Sequence, residues 1–379
     1  MLIYDTLPRA GSKEERIAMT QTAATAQAEI RAAELIPFAP PRVQDEVYTP
    51  EQVEALFAAV HRGPANGLLV KQLFKSAEEI VAATSGTMPE GLTLDHFLAP
   101  MFHGYLAKNG AVLDPLVASA FYNPKLMDWA RDYFQAGIVV PRQLHFNYGP
   151  PQPSADPGHF DSTSYRGMDS TNTPIWLLSA MTNSRLFRDY KIQLAAVVTW
   201  FWRGSDQGGF TYWPDGGHQP AKRIPAPFWN TAVVAENENM YHRGETSGTP
   251  DQWGKVKGLT FDSVIEGDPT GLDRWQVRNV DTVIGRLETE EIRWLFHWTA
   301  ECYADYDAFR IRADHLDDLT VERVVETFAR DLNARGVSVT IGADPLNDPA
   351  LKAAVLGEYA IASPKSYPAE APVAGRMAA

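Results

Sequence analysis

The pattern of polar and apolar residues changes once along this chain, near residue 140. Before that point, stretches rich in alanine, glutamate and glutamine favour helix and are broken by proline clusters. Thr49 is an N-cap residue followed by proline at the first helical position, which predicts a helix through Ala59. Further helices are predicted at 13–35, 69–83, 94–108 and 123–135. We therefore expect residues 1–140 to form a helical flank that packs on a later β core.

From Ile138 to about residue 285, short β-branched and aromatic runs alternate with clusters of glycine, proline, asparagine and aspartate. The runs at 194–202 and 230–235 are the clearest examples. This pattern is typical of a β-sandwich or a β-barrel. Helices are predicted again at 286–305 and 318–335. The simplest interpretation is one integrated domain, with a catalytic β core at 141–285 and a helical C-terminal extension at 286–379.

Composition and charge exclude several classes of function. The chain has 379 residues, of which 45% are hydrophobic and 21% charged, as expected of a folded globular protein. Its net charge of −13 argues against nucleic-acid binding, which requires basic patches. Cys302 is the single cysteine, so an intramolecular disulfide is impossible, as is typical of reducing compartments. The apolar runs are too short to cross a bilayer as a helix. We expect a cytoplasmic protein with no membrane partner, and a homodimer is left open.

The candidate chemistry lies in two histidines and one aspartate. His159 and Asp161 are separated by Phe160, and on a strand such residues point to the same side while the residue between them points away. His242 lies 81 residues after Asp161, so it must come from a separate, later strand. Two imidazoles and one carboxylate can occupy one face of a ferrous ion and leave its other coordination positions open. These three residues are the predicted metal ligands.

The surroundings of these residues favour the metal interpretation over that of a turn histidine at position 159. After the His-x-Asp sequence come a glycine-rich turn at 208–218, an apolar run at 230–235 and then His242-Arg243-Gly244. This order resembles the iron(II)/2-oxoglutarate oxygenase superfamily, in particular its phytanoyl-CoA-hydroxylase-like branch, over residues 143–265. The segment 121–133 is similar to the helix before the barrel in that branch. The resemblance implies a mainly β fold with helical flanks around a double-stranded β-helix, the cupin-like jelly-roll core.

The resemblance also implies the cofactors, which are Fe(II) and 2-oxoglutarate as cosubstrate. Dioxygen and a small organic molecule would be the other reactants. The family anchors the far carboxylate of 2-oxoglutarate on an arginine or lysine beyond the distal histidine, but Gln252 stands ten residues after His242. Lys255 and Lys257 follow with the same strand parity and are the predicted anchors. The alternative is that both are solvated lysines on a strand edge.

The expected function is therefore hydroxylation, desaturation or cyclisation of a small molecule, with succinate and CO2 as co-products. By the same resemblance, the presence of Asp161 disfavours halogenation. The alternatives are a metal-binding cupin-type jelly-roll protein without oxygenase activity and an iron dioxygenase that does not use 2-oxoglutarate. The polar segment 162–192 follows Asp161 directly and is predicted to form a lid, with Tyr165 and Arg166 in contact with substrate.

Overall fold

Antiparallel strands form the centre of the molecule, and helices lie outside them. The structure is a computed structural model that describes residues 27–72, 74, 76 and 98–373. The strands are β1 (Arg42–Gln44), β2 (Asn66–Gly67), β3 (Phe102–Lys108), β4 (Ala111–Val112), β5 (Ile138–Gly149), β6 (Gln193–Trp202), β7 (Phe210–Trp213), β8 (Lys222–Ile224), β9 (Phe228–Ala235), β10 (Tyr241–Gly244), β11 (Val264–Gly267), β12 (Arg274–Asn279), β13 (Thr282–Glu288) and β14 (Arg293–Tyr303). The helices are α1 (27–34), α2 (Pro50–Arg62), α3 (Ala118–Phe121), α4 (Pro124–Phe134), α5 (Ile175–Ser184), α6 (Tyr306–Ala313), α7 (Val321–Ala334) and α8 (Pro349–Glu358). The prediction of a mainly β fold with helical flanks is confirmed.

Three sheets organise the strands. The large sheet has the order β1-β9-β6-β14-β5-β3-β4, and a small sheet has the order β10-β7-β8. A third sheet has the order β13-β12-β11-β2. Its strands β11 to β13 are inserted between β10 and β14 in the sequence. In chain order β5 and β6 lie in the large sheet, β7 and β8 in the small sheet, β9 in the large sheet and β10 in the small sheet, and β14 returns to the large sheet after the third-sheet strands β11 to β13.

The two faces of the large sheet bury different residues. On one face, strand residues such as Val197 and Phe296 join the largest hydrophobic cluster, which α2 and α4 cover with Leu56 and Leu126. On the other face, a second cluster fills part of the space between the large and the small sheet. Its members from the two sheets include Val198, Trp200, Phe210, Tyr212, Ile224 and Val233. The remainder of that space is cavity, and the candidate site lies there.

The predicted helix at 286–305 is wrong, because β14 occupies most of it and lies at the centre of the large sheet between β5 and β6. Its side chains alternate, with Trp294, Phe296 and Trp298 in the main core and the residues between them on the opposite face. Burial of three large aromatic rings in one sheet outweighs the helix-favouring glutamates that precede the strand. The division at residue 285 stays a prediction, although the large sheet also takes β3 and β14 from outside 141–285.

The predicted helix at 94–108 is also wrong over its described part, since β3 covers Phe102–Lys108. Gly104 is compatible with this strand and unfavourable for the predicted helix. A Cβ atom at this position would lie 2.2 Å from Asn66 Oδ1 and 2.5 Å from a ring carbon of Phe146. Only glycine lets the neighbouring elements approach so closely, and glycine in a helix interior is unfavourable.

Several predicted helices agree with the structure where it describes them. Thr49 caps α2 by accepting the Gln52 backbone N–H, while the Gln52 side chain accepts the Thr49 N–H. The helix predicted at 123–135 is α4, and the one at 318–335 is α7. Of the helix predicted at 69–83, Leu69–Gln72 forms a 3₁₀ turn and most of the remainder lies outside the described residues, as does 13–26.

The predicted lid segment 162–192 is anchored by apolar side chains, contrary to the premise that it has little apolar surface. It contains α5 and buries Leu178, Met181 and Phe187 in a cluster shared with α7 and α8. No helix in the described part of the chain is both long and apolar enough to cross a membrane.

Candidate metal centre and adjoining cavities

The three predicted ligands converge on one point. One side-chain atom from each of His159, Asp161 and His242 lies within 4.8 Å of the others. The backbone holds this arrangement, because His159 and His242 form an antiparallel bridge with N–H···O distances of 3.0 and 3.1 Å. Asp161 donates its backbone N–H to Asn237 at 3.2 Å. The expected strand around His159 is reduced to this single bridge, yet the alternation holds, since the Phe160 ring packs 4.0 Å from the ring of Tyr241 on the outer side.

Hydrogen bonds orient both imidazoles in the way that metal ligation requires. The Nδ1 atom of His159 lies 2.8 Å from the Asp156 carboxylate, and the Nδ1 atom of His242 lies 2.9 Å from the carbonyl oxygen of Met240. When Nδ1 carries the proton in each ring, the lone pair of Nε2 is free. The Nε2 atom of His242 lies 3.5 Å from Asp161 Oδ1. Two free imidazole nitrogens beside a carboxylate fit a ferrous ion.

Asp161 carries a negative charge at this point. Burial acts to raise the pKa of its carboxyl group, but the imidazoles of His242, His297 and His159 outweigh burial and hold the pKa well below its usual range. Burial lowers the pKa of both His297 and His145. An ionised carboxylate beside the imidazoles of His159 and His242 is a donor set suited to a metal cation.

The segment 361–373 packs behind the metal ligands and ties their backbone in place. Tyr241 donates its hydroxyl to the Ala362 carbonyl at 2.7 Å, and Tyr367 donates to the Pro157 carbonyl at 2.9 Å. Arg243 is fully buried and donates to the carbonyl oxygen of Ala371 at 2.8 Å. His242 therefore faces inward while both of its chain neighbours are fixed from outside by this segment.

All three candidate ligands border a cavity of about 410 Å³ that also contains Arg293. Its apolar wall includes Leu69, Met101, Val198, Trp200, Phe210 and Leu295. Arg293 is 7% exposed and donates to the carbonyl oxygens of Gly208 at 2.7 Å and Gly209 at 3.2 Å. Burial lowers its pKa to about 10, so the guanidinium stays charged at neutral pH. Among the described residues it has no carboxylate within 4 Å, since Glu245, whose charge acts to raise the Arg293 pKa, is paired with Arg223 instead.

A second, smaller cavity of about 190 Å³ adjoins the first. The two share Asp161, Asn237, His145 and His297 as lining residues. Most residues that line the second cavity are polar. Its other lining residues are Arg142, Gln143, Ser162, Ser164, Ser170, Leu194, Ala196, Glu238 and Thr299. Asp161 thus stands between a cavity with a buried cation and a cavity rich in hydrogen-bonding groups.

Four predicted site residues lie away from these cavities. Lys255 and Lys257 are exposed in a turn-rich loop instead of a strand, and Lys255 pairs with Glu291. Tyr165 is buried in the cluster around α5 and α7, where its hydroxyl bonds to Thr182, and Arg166 forms an ion pair with Asp317. Lys255, Lys257, Tyr165 and Arg166 are absent from the described linings of both cavities. The strand placement of the two lysines is wrong.

The sequence analysis did not identify three residues that line the larger cavity: Arg293, His297 and His145. The first two lie on β14, where a helix was expected, and the third lies on β5. The signal that reveals β14 is its period of two, with aromatic residues at 294, 296 and 298. The residues that alternate with these aromatics, Arg293, Leu295 and His297, then share the opposite face, and all three line the larger cavity.

No family model matches the chain, and no curated protein does. Solved structures with partial likeness include a 2OG-Fe(II) oxygenase family oxidoreductase from Burkholderia pseudomallei, at 12% identity and a TM-score of 0.36 over 74% of this chain and 92% of that one. HygX from Streptomyces hygroscopicus, with nickel and 2-oxoglutarate bound, has 9% identity and a TM-score of 0.31 over 77% and 88% of the two chains. A prolyl hydroxylase from Trichoplax adhaerens, in complex with a hypoxia inducible factor peptide, has 8% identity and a TM-score of 0.33 over 81% and 98%. At these values the likeness assigns neither a family nor an activity.

Proposed function

We propose that this protein is a non-haem Fe(II)/2-oxoglutarate-dependent dioxygenase that oxidises a small organic molecule. The observation that carries the proposal is the pairing of two features in one cavity. The first is the convergence of His159, Asp161 and His242, and the second is the buried, unpaired guanidinium of Arg293. A metal centre with open positions and a separate cation for a carboxylate are what a 2-oxo dicarboxylate requires.

The strand order supports a double-stranded β-helix. The strands β5, β6, β9 and β14 lie in the large sheet, whereas β7, β8 and β10 lie in the small one. Successive parts of the chain therefore alternate between two facing sheets, as in a jelly roll. The proposed ligands His159 and His242 lie at the end of the small sheet, where the bridge between them adds a fourth extended segment beside β10. Placement within the phytanoyl-CoA-hydroxylase-like branch rests on the sequence resemblance at 143–265.

His159, Asp161 and His242 would hold the ferrous ion. Such an ion would supply the redox chemistry that couples oxidation of a substrate C–H bond by dioxygen to the decarboxylation of 2-oxoglutarate. The chain contributes orientation, since the hydrogen bonds from Asp156 and Met240 fix the two rings. The apolar wall of the larger cavity excludes water from the reacting groups.

Arg293 replaces Lys255 and Lys257 as the proposed anchor for the far carboxylate of 2-oxoglutarate. Its hydrogen bonds to the two glycine carbonyls occupy two of its five N–H groups and fix the plane of the guanidinium. The remaining N–H groups can bind a carboxylate in a bidentate manner, which a lysine cannot do. A buried cation in the same cavity as the candidate ligands favours an oxygenase over a metal-binding jelly-roll protein without oxygenase activity.

Anaerobic titration with 2-oxoglutarate tests the proposal. The iron-loaded protein should develop a weak visible charge-transfer band as the keto acid chelates the metal. Arg293→Met should raise the Kd for 2-oxoglutarate by about 30-fold or more, because removing one partner of a buried charge pair costs roughly 2 kcal/mol or more. Iron affinity should change little.

Lys255→Met and Lys257→Met are the matched controls, and both should titrate like the unaltered protein. Absence of the band from the unaltered protein would contradict the use of 2-oxoglutarate. An unchanged Kd in Arg293→Met, with a raised Kd in either lysine variant, would return the anchor to the loop.

A further inference from the structure

Beside the polar cavity next to Asp161, two buried carboxyl groups are paired with one buried ammonium group. Glu236 and Glu238 are 4% and 3% exposed, and they share the single ammonium group of Lys191. Glu236 is fully satisfied, because it also accepts from the Phe38 backbone N–H at 2.8 Å and from the Asn239 amide at 3.1 Å. One ammonium cannot balance two carboxylates, so Glu238, the one that lines the cavity, keeps a proton until a second cation is bound.

Glu238 is only partly satisfied by the protein. Its Oε1 atom accepts the backbone N–H of Ser164 at 3.2 Å. Its Oε2 atom lies 3.5 Å from Lys191 Nζ, beyond good hydrogen-bond length, and accepts no hydrogen bond from the described residues. A buried carboxyl oxygen without a hydrogen-bond partner is costly, so a ligand that donates a hydrogen bond to this atom would be stabilised there.

Neighbouring side chains show the same lack of partners. Asn237 is 2% exposed, and neither its amide nitrogen nor its amide oxygen has a hydrogen-bond partner in the described part of the chain. The Thr299 hydroxyl and the Nε2 atom of His297 are likewise buried without partners there. These groups line one cavity together with Glu238, so the orphaned atoms form a continuous polar surface beside Asp161.

We propose that this cavity binds the primary substrate through an amino group, whose ammonium form donates hydrogen bonds to Glu238 and to the side-chain oxygen of Asn237. The inference rests on the proposed oxygenase function and specifies its substrate class as a small, polar primary amine. Thr299 and His297 bind further polar groups of the same molecule. The C–H bonds near those groups then lie beside Asp161, which borders both cavities.

The charges favour an amine over an anionic or apolar substrate. Arg142 is the one arginine or lysine among the described lining residues, and it is already paired with Asp169 at 2.7 Å and with Glu301 at 3.4 Å. An anion would therefore face Glu238 without a free cation. Leu194 and Ala196 are the only aliphatic side chains of the described lining, and its other members carry hydrogen-bonding groups that an apolar molecule would leave unpaired.

Calorimetric binding to the Mn(II)-loaded protein with 2-oxoglutarate tests the substrate class without requiring turnover. The probes are small primary amines, each with the neutral isostere in which a hydroxyl replaces the amino group. Cyclohexylamine with cyclohexanol and glucosamine with glucose are two such pairs. At least one amine should bind about tenfold more tightly than its isostere or better, since hydrogen bonds to charged groups are worth roughly 1.5 kcal/mol or more.

Glu238→Gln should reduce that preference to near unity. Glu301→Gln is the matched control, because it removes a carboxylate behind Arg142 without changing the cavity lining, and it should keep the preference. Equal or tighter binding of the neutral isosteres, binding by none of the amines, or a preference that survives Glu238→Gln would overturn the inference. Failure of the 2-oxoglutarate titration is a separate result, which counts against the oxygenase function instead of the amine site.

Discussion

Replacement of Glu238 by glutamine should change how the stability of the metal-free protein depends on pH. Burial raises the pKa of Glu238 to about 8, with Lys191 opposing this and Glu236 adding to it. The unfolded chain has the ordinary value of 4.5 for glutamate. Between these values the folded protein keeps a proton that the unfolded chain releases. The free energy of unfolding contributed by Glu238 therefore falls as pH rises through this window.

The magnitude follows from the width of the window. One proton retained on folding changes the folding equilibrium about tenfold per pH unit, so from pH 5.5 to 7.5 the loss amounts to about 3 kcal/mol. Glutamine has nearly the same shape and no titratable proton. The difference in unfolding free energy, Glu238→Gln minus unaltered protein, should therefore increase by about this amount over the same range.

Urea denaturation followed by tryptophan fluorescence, in the presence of a chelator at pH 5.5, 6.5 and 7.5, measures this difference. Subtracting the two proteins at each pH cancels the titration of all groups that the substitution leaves unchanged. A difference that stays flat or decreases with pH would refute the reasoning, because it would mean that Glu238 is ionised in the folded protein even when no ligand cation is bound.

Three further predictions concern other parts of the molecule. Asp161→Ala should keep the far-UV circular dichroism spectrum but lose iron and succinate formation, and full activity with normal iron content would contradict the ligand assignment. Trp298→Ala should lower the free energy of unfolding by roughly 3–5 kcal/mol, since it removes a fully buried ring and its hydrogen bond to the Phe121 carbonyl; a loss under about 1 kcal/mol in denaturant unfolding would be inconsistent with that packing. Tyr367→Phe should weaken metal binding modestly without unfolding the protein, because the hydroxyl bond to Pro157 is lost, and an unchanged metal Kd would separate residues 361–373 from the metal centre.

The convergence of His159, Asp161 and His242 was predictable from the sequence because the relevant signals are local. A histidine and a carboxylate two residues apart, with a histidine at the start of a later strand, need no knowledge of tertiary structure beyond strand alternation. Helices such as α2 and α4 were predictable for a similar reason, since a capping residue followed by proline sits at each start.

Arg293 was missed because its role depends on pairing between distant strands. β14 pairs with β5 and β6, more than 90 residues earlier, and these neighbours decide that its polar face looks into the cavity. The charged stretch before β14 favours helix by local propensity, and tertiary packing overrides such preferences. Because β11 to β13 are inserted between β10 and β14, Arg293 lies much farther along the chain from His242 than Lys255 and Lys257, the predicted anchors.

The bonds from residues 361–373 to the backbone around His159 and His242 also have a consequence for the timing of biosynthesis. A polypeptide emerges from the ribosome from its N-terminus, and early parts fold before later parts exist. The sheets can assemble once β14 has emerged, yet Pro157, Tyr241 and Arg243 then still lack the partners that Tyr367, Ala362 and Ala371 provide. At that stage the nascent chain has its sheets but lacks the contacts that fix the backbone beside His159 and His242. The candidate ligands are therefore held firmly only after residues 361–373 have docked.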